Sequence, residues 1–177
     1  GQLSSFYGGI EDIVVGCEVV FAGGAVSRIK NNPRRAAGPD IRHIVIGNEG
    51  ALCYITEVTV KLFPFMPENN HYLGWTTKEM SKGFDVLRDV MVAGLKPAVA
   101  RLYDYEDGQL QFSHMANPDE VTIIFTTEGN AGVARATADG IREIIARHPD
   151  CKPIDGDLVD TWFNDLVWGP EKVIAES

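Results

Sequence analysis

Cysteine is scarce and scattered: Cys17, Cys53 and Cys151 are the only three in 177 residues, and none forms a C-x-x-C pair. This excludes a disulfide framework and a cysteine zinc site. It fits free thiols in a reducing compartment, and so a cytoplasmic location. The four histidines (His43, His71, His114, His148) stand alone, with no H-x-H or H-E-x-x-H pattern and no metal-ligand set. Long apolar runs are missing too: nothing approaches the ~20 residues of a membrane span, and no signal peptide is visible. Positive charge is in deficit, with 16 Lys and Arg against 25 Asp and Glu and a formal charge of −9. A chain so acidic is not built to grip a nucleic-acid backbone. Its one dense basic run, Arg28–Arg35 (RIKNNPRR), reads as a solvated loop. Neither G-x-x-x-x-G-K-[ST] nor G-x-G-x-x-G occurs, so the common phosphate-cradling loops are absent.

What is present falls into two unlike halves. Residues Ile10–Phe21 (IEDIVVGCEVVF) read as a strand buried on both faces. Ala22-Gly23-Gly24 turns the chain, and Ala25–Lys30 returns as the second strand of a hairpin. After a loop over Asn31–Pro39, Asp40 is placed to cap a short helix carrying Ile41, Ile44 and Val45. Gly47 and Gly50 then bracket Asn48 and Glu49. In the strand that follows, Val58, Val60 and Leu62 alternate with Glu57, Thr59 and Lys61, predicting one buried face. By spacing alone the glycine pair fits an ordinary turn as well as a backbone that approaches a ligand.

Phe65–Asn70 (FMPENN) interrupts the pattern and marks a domain boundary, giving domains 1–66 and 67–177. Beyond it the pattern predicts a strand at His71–Thr76 and a helix over Thr77–Gly94 with the stripe Met80, Phe84, Leu87, Val90 and Met91. A strand at Pro97–Tyr103, a polar excursion from Asp104 to Glu120 and a strand at Val121–Thr127 follow. Next come a helix capped by Asn130 with the stripe Val133, Ala134, Ile141, Ile144 and Ile145, and a short strand at Cys151–Ile154. The order β-α-β-β-α-β is the ferredoxin-like split motif, and the fold class is α+β. An amphipathic helix, Asp157–Val167, holds Leu158, Trp162, Phe163 and Leu166. Within this half Arg101 sits inside the apolar strand VARLY, where a charge must face solvent, pair, or hold an anion with its planar fork.

The stretch GPDIRHIVIGNEGALCYITEVTVKL resembles the signature of FAD-linked oxidases of the vanillyl-alcohol-oxidase (PCMH-type) superfamily, whose usual form is GSEGTLG-x-IT-E. YGGIEDIVVGCEVVFAGG is similar to the family segment before it. The branch most resembled is alkyldihydroxyacetonephosphate synthase, and Pro97–Asp104 (PAVARLYD) resembles its segment PASIRLMD. The resemblance implies that 1–66 is the C-terminal portion of a PCMH-type FAD-binding domain and 67–177 the start of a ferredoxin-like cap domain. It implies FAD as cofactor, with Gly47, Asn48, Glu49, Gly50, Ala51, Leu52, Cys53 and Ile55 lying against it. Arg101 is then the residue of the catalytic site that binds the substrate anion. Ala51, Cys53 and Tyr54 depart from the usual Thr, Gly and small aliphatic residue. The family's glycine-rich pyrophosphate loop and histidine-bearing segment lie outside this sequence. The expectation is therefore a fragment that retains FAD poorly, if at all, and is inactive in isolation.

Three functions follow from these readings. The first is a flavoenzyme of the synthase kind, exchanging an acyl for an alkyl group on a small anionic substrate. The second is an FAD-linked D-2-hydroxyacid (D-lactate-type) dehydrogenase. The third is a degenerate, non-catalytic interaction domain, with homodimer pairing through the ferredoxin-like half.

Overall fold

The computed structural model describes residues 1–34, 36–115 and 117–165. The chain divides into two compact units, Gly1–Pro64 and a second from Phe65 onward.

In the first unit two helical turns, α1 (Ser4–Tyr7) and α2 (Ile10–Ile13), lead into β1 (Val14–Phe21). β2 (Val26–Ile29), the single-turn α3 (Arg42–Val45) and β3 (Cys53–Val60) follow, and the antiparallel sheet has the order β2-β1-β3. The hairpin is the expected one. Gly24, at φ 81°, closes it through hydrogen bonds from Gly24 N to Phe21 O and from Phe21 N to Ala25 O.

The expected strand at Ile10–Phe21 is shorter at its start. Ile10–Ile13 turns helical because Asp12 accepts the Gly9 amide at 3.2 Å while the Asp12 and Ile13 amides bond back to Gly9 O. Nor is β1 buried throughout: Val14–Cys17 are, and after them burial alternates until Phe21 is exposed. Cys17 faces Val58 and Val19 faces Ile55 across the ladder. That face carries the core of Cys17, Val19, Ile29, Val45 and Cys53. On the opposite face Glu18 lies across from Glu57, and Arg28 pairs with both carboxylates, at 2.7 and 3.0 Å. All three are solvated, so this triad relieves like-charge repulsion and adds little further stability.

The β1–β3 ladder carries one unpaired residue on each strand, Val15 on β1 and Thr56 on β3. The buried face expected of β3 is not buried: Val58 is 47% exposed, Val60 43% and Leu62 89%. Alternation set their direction correctly, yet a single-turn helix is too small to cover the whole face.

The second unit runs β4 (His71–Thr77), α4 (Met80–Val92), β5 (Val99–Tyr103), α5 (Tyr105–Phe112), β6 (Val121–Thr127), α6 (Ala131–Ile145), β7 (Lys152–Ile154) and α7 (Gly156–Asp165). The sheet order is β5-β6-β4-β7, antiparallel throughout, which is the ferredoxin-like arrangement. Gly94, at φ 76°, terminates the α4 segment, and the Asn130 side chain caps α6 by accepting Gly132 N at 3.0 Å.

Leu73, Trp75, Ile123 and Phe125 point to one face, where Val86 and Val90 of α4 and Ala138, Ile141, Ile144 and Ile145 of α6 close the core. The buried stripes differ from those expected. Gly83 and Val86 replace Phe84 and Met91, which are exposed, and Ala138 is buried while Val133 is exposed. Close packing is the reason. A Cβ on Gly83 would stand 2.4 Å from Leu102 Cδ1, so the smallest residue, not the most apolar, faces the sheet.

The register sets Leu102 opposite Ile123 and Arg101 opposite Ile124, so Arg101 points to the other face. α5 and α7 cover part of that face. Tyr103, Phe112 and Trp162 meet edge-on with ring centroids 4.9–6.1 Å apart, and Val159 rests over Gly74. α5 falls within the polar excursion expected at Asp104–Glu120. The Asp104 side chain caps it by accepting Asp107 N at 2.8 Å, and Phe112 and Met115 anchor it. The last two residues of the final helix expected from sequence, Leu166 and Val167, lie outside the described residues.

At the start of β6, buried Glu120 accepts Lys152 Nζ at 2.6 Å and Asn117 Nδ2 at 3.1 Å. The Lys152 bond first, then Thr76, hold its carboxyl at about 2 instead of 4.5. A depressed folded value stabilises the protein fully above the unfolded value and is lost as pH falls through the folded one. The denaturation midpoint of the wild type should therefore fall between pH 4.5 and 2, more steeply than that of Glu120→Gln. Parallel pH profiles for the two proteins would count against this account.

Candidate functional site

The loop between α3 and β3 is the most specialised backbone in the chain. Gly47, Glu49 and Gly50 all have positive φ, at 79°, 49° and 80°. Glycine adopts this region freely, while Glu49 there costs about 1 kcal/mol, so the surrounding bonds must hold it. Asn48 supplies them. Its Nδ2 donates to Val45 O, and its Oδ1 accepts Leu52 N at 3.2 Å and Cys53 N at 3.3 Å. Its own carbonyl accepts Ala51 N at 2.8 Å. The amides of Glu49 and Gly50 have no acceptor among the described residues.

This loop borders a cavity of about 350 Å3 lined by Val45, Gly47, Asn48, Glu49, Gly50, Cys53, Tyr54 and Ile55. Of the residues assigned to the cofactor from sequence, Gly47, Asn48, Glu49, Gly50, Cys53 and Ile55 come together here, while Ala51 and Leu52 are not in the lining. Tyr54 joins them. Cys53 is buried in the core cluster, so its side chain packs with Val19 and Val45. Burial pushes the thiol of neighbouring Cys17 up, away from a reactive thiolate.

Sequence reasoning missed a residue at the start of α3, the helical turn that leads into the loop. Arg42 is buried, donating through Nη1 to Val14 O at 3.0 Å and to Asn32 O at 2.9 Å. Its Nε and Nη2 grip both carboxylate oxygens of Asp40. This pairing holds the Asp40 carboxyl at about 2 instead of 3.8. Asp40 also accepts the Arg42 amide at 3.1 Å, much as a cap would, although Ile41 occupies the N-cap position. An arginine two residues from an aspartate, inside an apolar helical turn, was the available signal.

Arg101 lies in the second unit, on the middle of β5 and half-buried, with no hydrogen bond or ion pair among the described residues. Diagonally across β6 stand Thr122 and Thr126, whose buried hydroxyls have no hydrogen-bond partner among the described residues, nor has the indole N–H of Trp162. Burial pushes the Tyr103 phenol up, and the Arg101 charge pulls against that shift. Among the described residues no three His, Cys, Asp or Glu side chains gather as metal ligands would, and no helix is long and apolar enough to cross a membrane.

Compared with known proteins, the chain is 60% identical over 176 residues, 99% of its length, to the Escherichia coli O157:H7 protein "Uncharacterized FAD-linked oxidoreductase YgcU". The chain is a homologue of FAD-linked oxidoreductases. It spans 36% of the length of that relative. A more distant relative is alkyldihydroxyacetonephosphate synthase of Caenorhabditis elegans, 36% identical over 104 residues, covering 59% of this chain and 17% of that one. Among solved structures, an alkyldihydroxyacetonephosphate synthase superposes with a TM-score of 0.71 at 22% identity, over 94% of this chain and 35% of that one. That superposition establishes the fold of this FAD-linked oxidoreductase homologue as α+β. No protein-family model matches the chain.

Proposed function

We propose that this chain supplies one wall of a flavin site and the substrate-facing sheet of an FAD-dependent enzyme acting on a small phosphate- or carboxylate-bearing substrate. The observation that carries this reading is the left-handed loop Gly47–Gly50. Its amides at Glu49 and Gly50 lack acceptors among the described residues and border a cavity, and successive amides of this kind suit the polar edge or phosphate of a cofactor. In this reading residues 1–66 are the C-terminal portion of the FAD-binding domain and 67–177 the first part of the cap domain. FAD, when bound, supplies the redox or group-transfer chemistry, and the protein supplies orientation and charge. The loop orients the cofactor, the apolar lining at Val45 and Ile55 keeps water from it, and Arg101 holds the substrate anion by a two-pronged hydrogen bond. The likeness to alkyldihydroxyacetonephosphate synthases favours phosphate as that anion, and exchange of an acyl for an alkyl group as the reaction.

The test is made on the full-length protein. Purified, it is expected to be yellow, and its flavin spectrum to change on addition of an acyl-dihydroxyacetone phosphate with a fatty alcohol. A spectrum bleached instead by a D-2-hydroxy acid would move the assignment to a dehydrogenase. A colourless protein that takes up no FAD and forms a stable dimer would leave a non-catalytic interaction domain.

A further inference from the structure

From the bonding of the loop we infer that Asn48 acts as a positioning residue: it does not present its side chain to the cofactor but fixes the backbone that does. This inference rests on the flavin reading given above. An asparagine carboxamide offers two acceptor sites on oxygen and two donor hydrogens. Both acceptor sites of Asn48 are consumed by Leu52 N and Cys53 N, and one donor by Val45 O. The side chain therefore ties the last residue of α3 to the first residue of β3, bridging the loop at its base. What lies between the tie points is the stretch Gly47–Gly50, left-handed at Gly47, Glu49 and Gly50, with two amides that have no acceptor among the described residues.

Without the bridge, Leu52 N loses its acceptor, and of the bonds that hold Glu49 in a region its side chain disfavours only backbone ones, such as Ala51 N to Asn48 O, remain. The loop would then relax toward ordinary turn geometry and turn its free amides away from a common point. The familiar pattern GSEGTLG has serine at this position. Serine's hydroxyl has one donor hydrogen and two acceptor sites, but all on a single atom, so it cannot donate toward α3 and accept from β3 at separate atoms as the Asn48 nitrogen and oxygen do.

The experiment compares full-length wild type, Asn48→Ala and Asn48→Asp by amide hydrogen exchange at Leu52 and by titration of the apoprotein with FAD. In Asn48→Ala the Leu52 amide is expected to exchange about tenfold faster and FAD to bind about tenfold more weakly, as loss of one to two net hydrogen bonds predicts. Asn48→Asp, nearly the same shape, still accepts from Leu52 and Cys53 but cannot donate to Val45 O. Its Leu52 amide should stay protected and its FAD affinity fall between the other two. Unchanged exchange in Asn48→Ala overturns the inference. So does faster exchange with unchanged FAD affinity, which would make Asn48 a fold residue only. Should wild type itself take up no FAD, the flavin reading falls in that arm alone, and the positioning role with it.

Discussion

Replacing Arg101 by alanine in the full-length protein is expected to raise KM for the anionic substrate by about 10- to 150-fold, with flavin content unchanged. The range corresponds to losing a charge-assisted hydrogen bond worth roughly 1.5–3 kcal/mol. Arg101→Lys should recover only part of this, because an ammonium keeps the charge but loses the planar fork. Stability should move the other way. Arg101 is half-buried and has no partner among the described residues, so its desolvation is uncompensated when no ligand is present. The alanine protein should therefore melt at or above the wild-type temperature. A purely structural arginine would show the reverse pattern: KM unchanged and the melting temperature lowered. Steady-state kinetics and a thermal melt on the same preparations separate the two.

Arg42→Met is expected to be the most destabilising single change in the first unit, on the order of 2–4 kcal/mol. It leaves the carbonyls of Val14 and Asn32 without their donor and a half-buried carboxylate at Asp40 without its partner. That is a large fraction of the stability of any small domain. The double change Asp40→Asn with Arg42→Met tests which part matters. If the ion pair dominates, neutralising Asp40 restores most of the loss. If the two carbonyl bonds dominate, as the geometry predicts, the double variant stays close to Arg42→Met in a urea titration. Acid should reproduce part of the defect. The Asp40 carboxyl is depressed, so its contribution is intact above pH 3.8 and fades as pH falls toward 2.

Much of this architecture could be read from sequence because its strands advertise themselves. Val121–Thr127 and His71–Thr77 are short β-branched and aromatic runs with clear ends, and Asn130 and Gly94 punctuate the helices as capping chemistry predicts. Where sequence misled, the deciding information lay in another part of the chain. The burial of Gly83 is set by Leu102, and α5 hangs on Phe112 and Met115, two anchors at the far end of an otherwise polar segment. Val58 was aimed correctly but left uncovered, since alternation gives a direction and not a lid. The site divides in the same way. The glycines of the loop were visible as glycines. The work of Asn48 was not, because its partners are backbone atoms, which carry no letter in a sequence; that of Arg42 was only half visible, since Asp40 is a letter but the carbonyls of Val14 and Asn32 are not.

The two unpaired residues in the β1–β3 ladder constrain how this protein can change its length. Val15 adds one residue to β1 and Thr56 adds one to β3, so the two offsets cancel: Val14 still meets Val60 at one end and Phe21 still meets Cys53 at the other. Deleting either residue alone would advance one strand past the other by a single step. That step would exchange inward for outward side chains along part of β3 and carry Cys53, with the loop before it, out of alignment with the β1 carbonyl that Arg42 grips. Deleting both would restore the alignment. Length changes in these strands are thus expected to survive selection only as matched pairs, one in each strand, although the two positions lie forty-one residues apart in the chain.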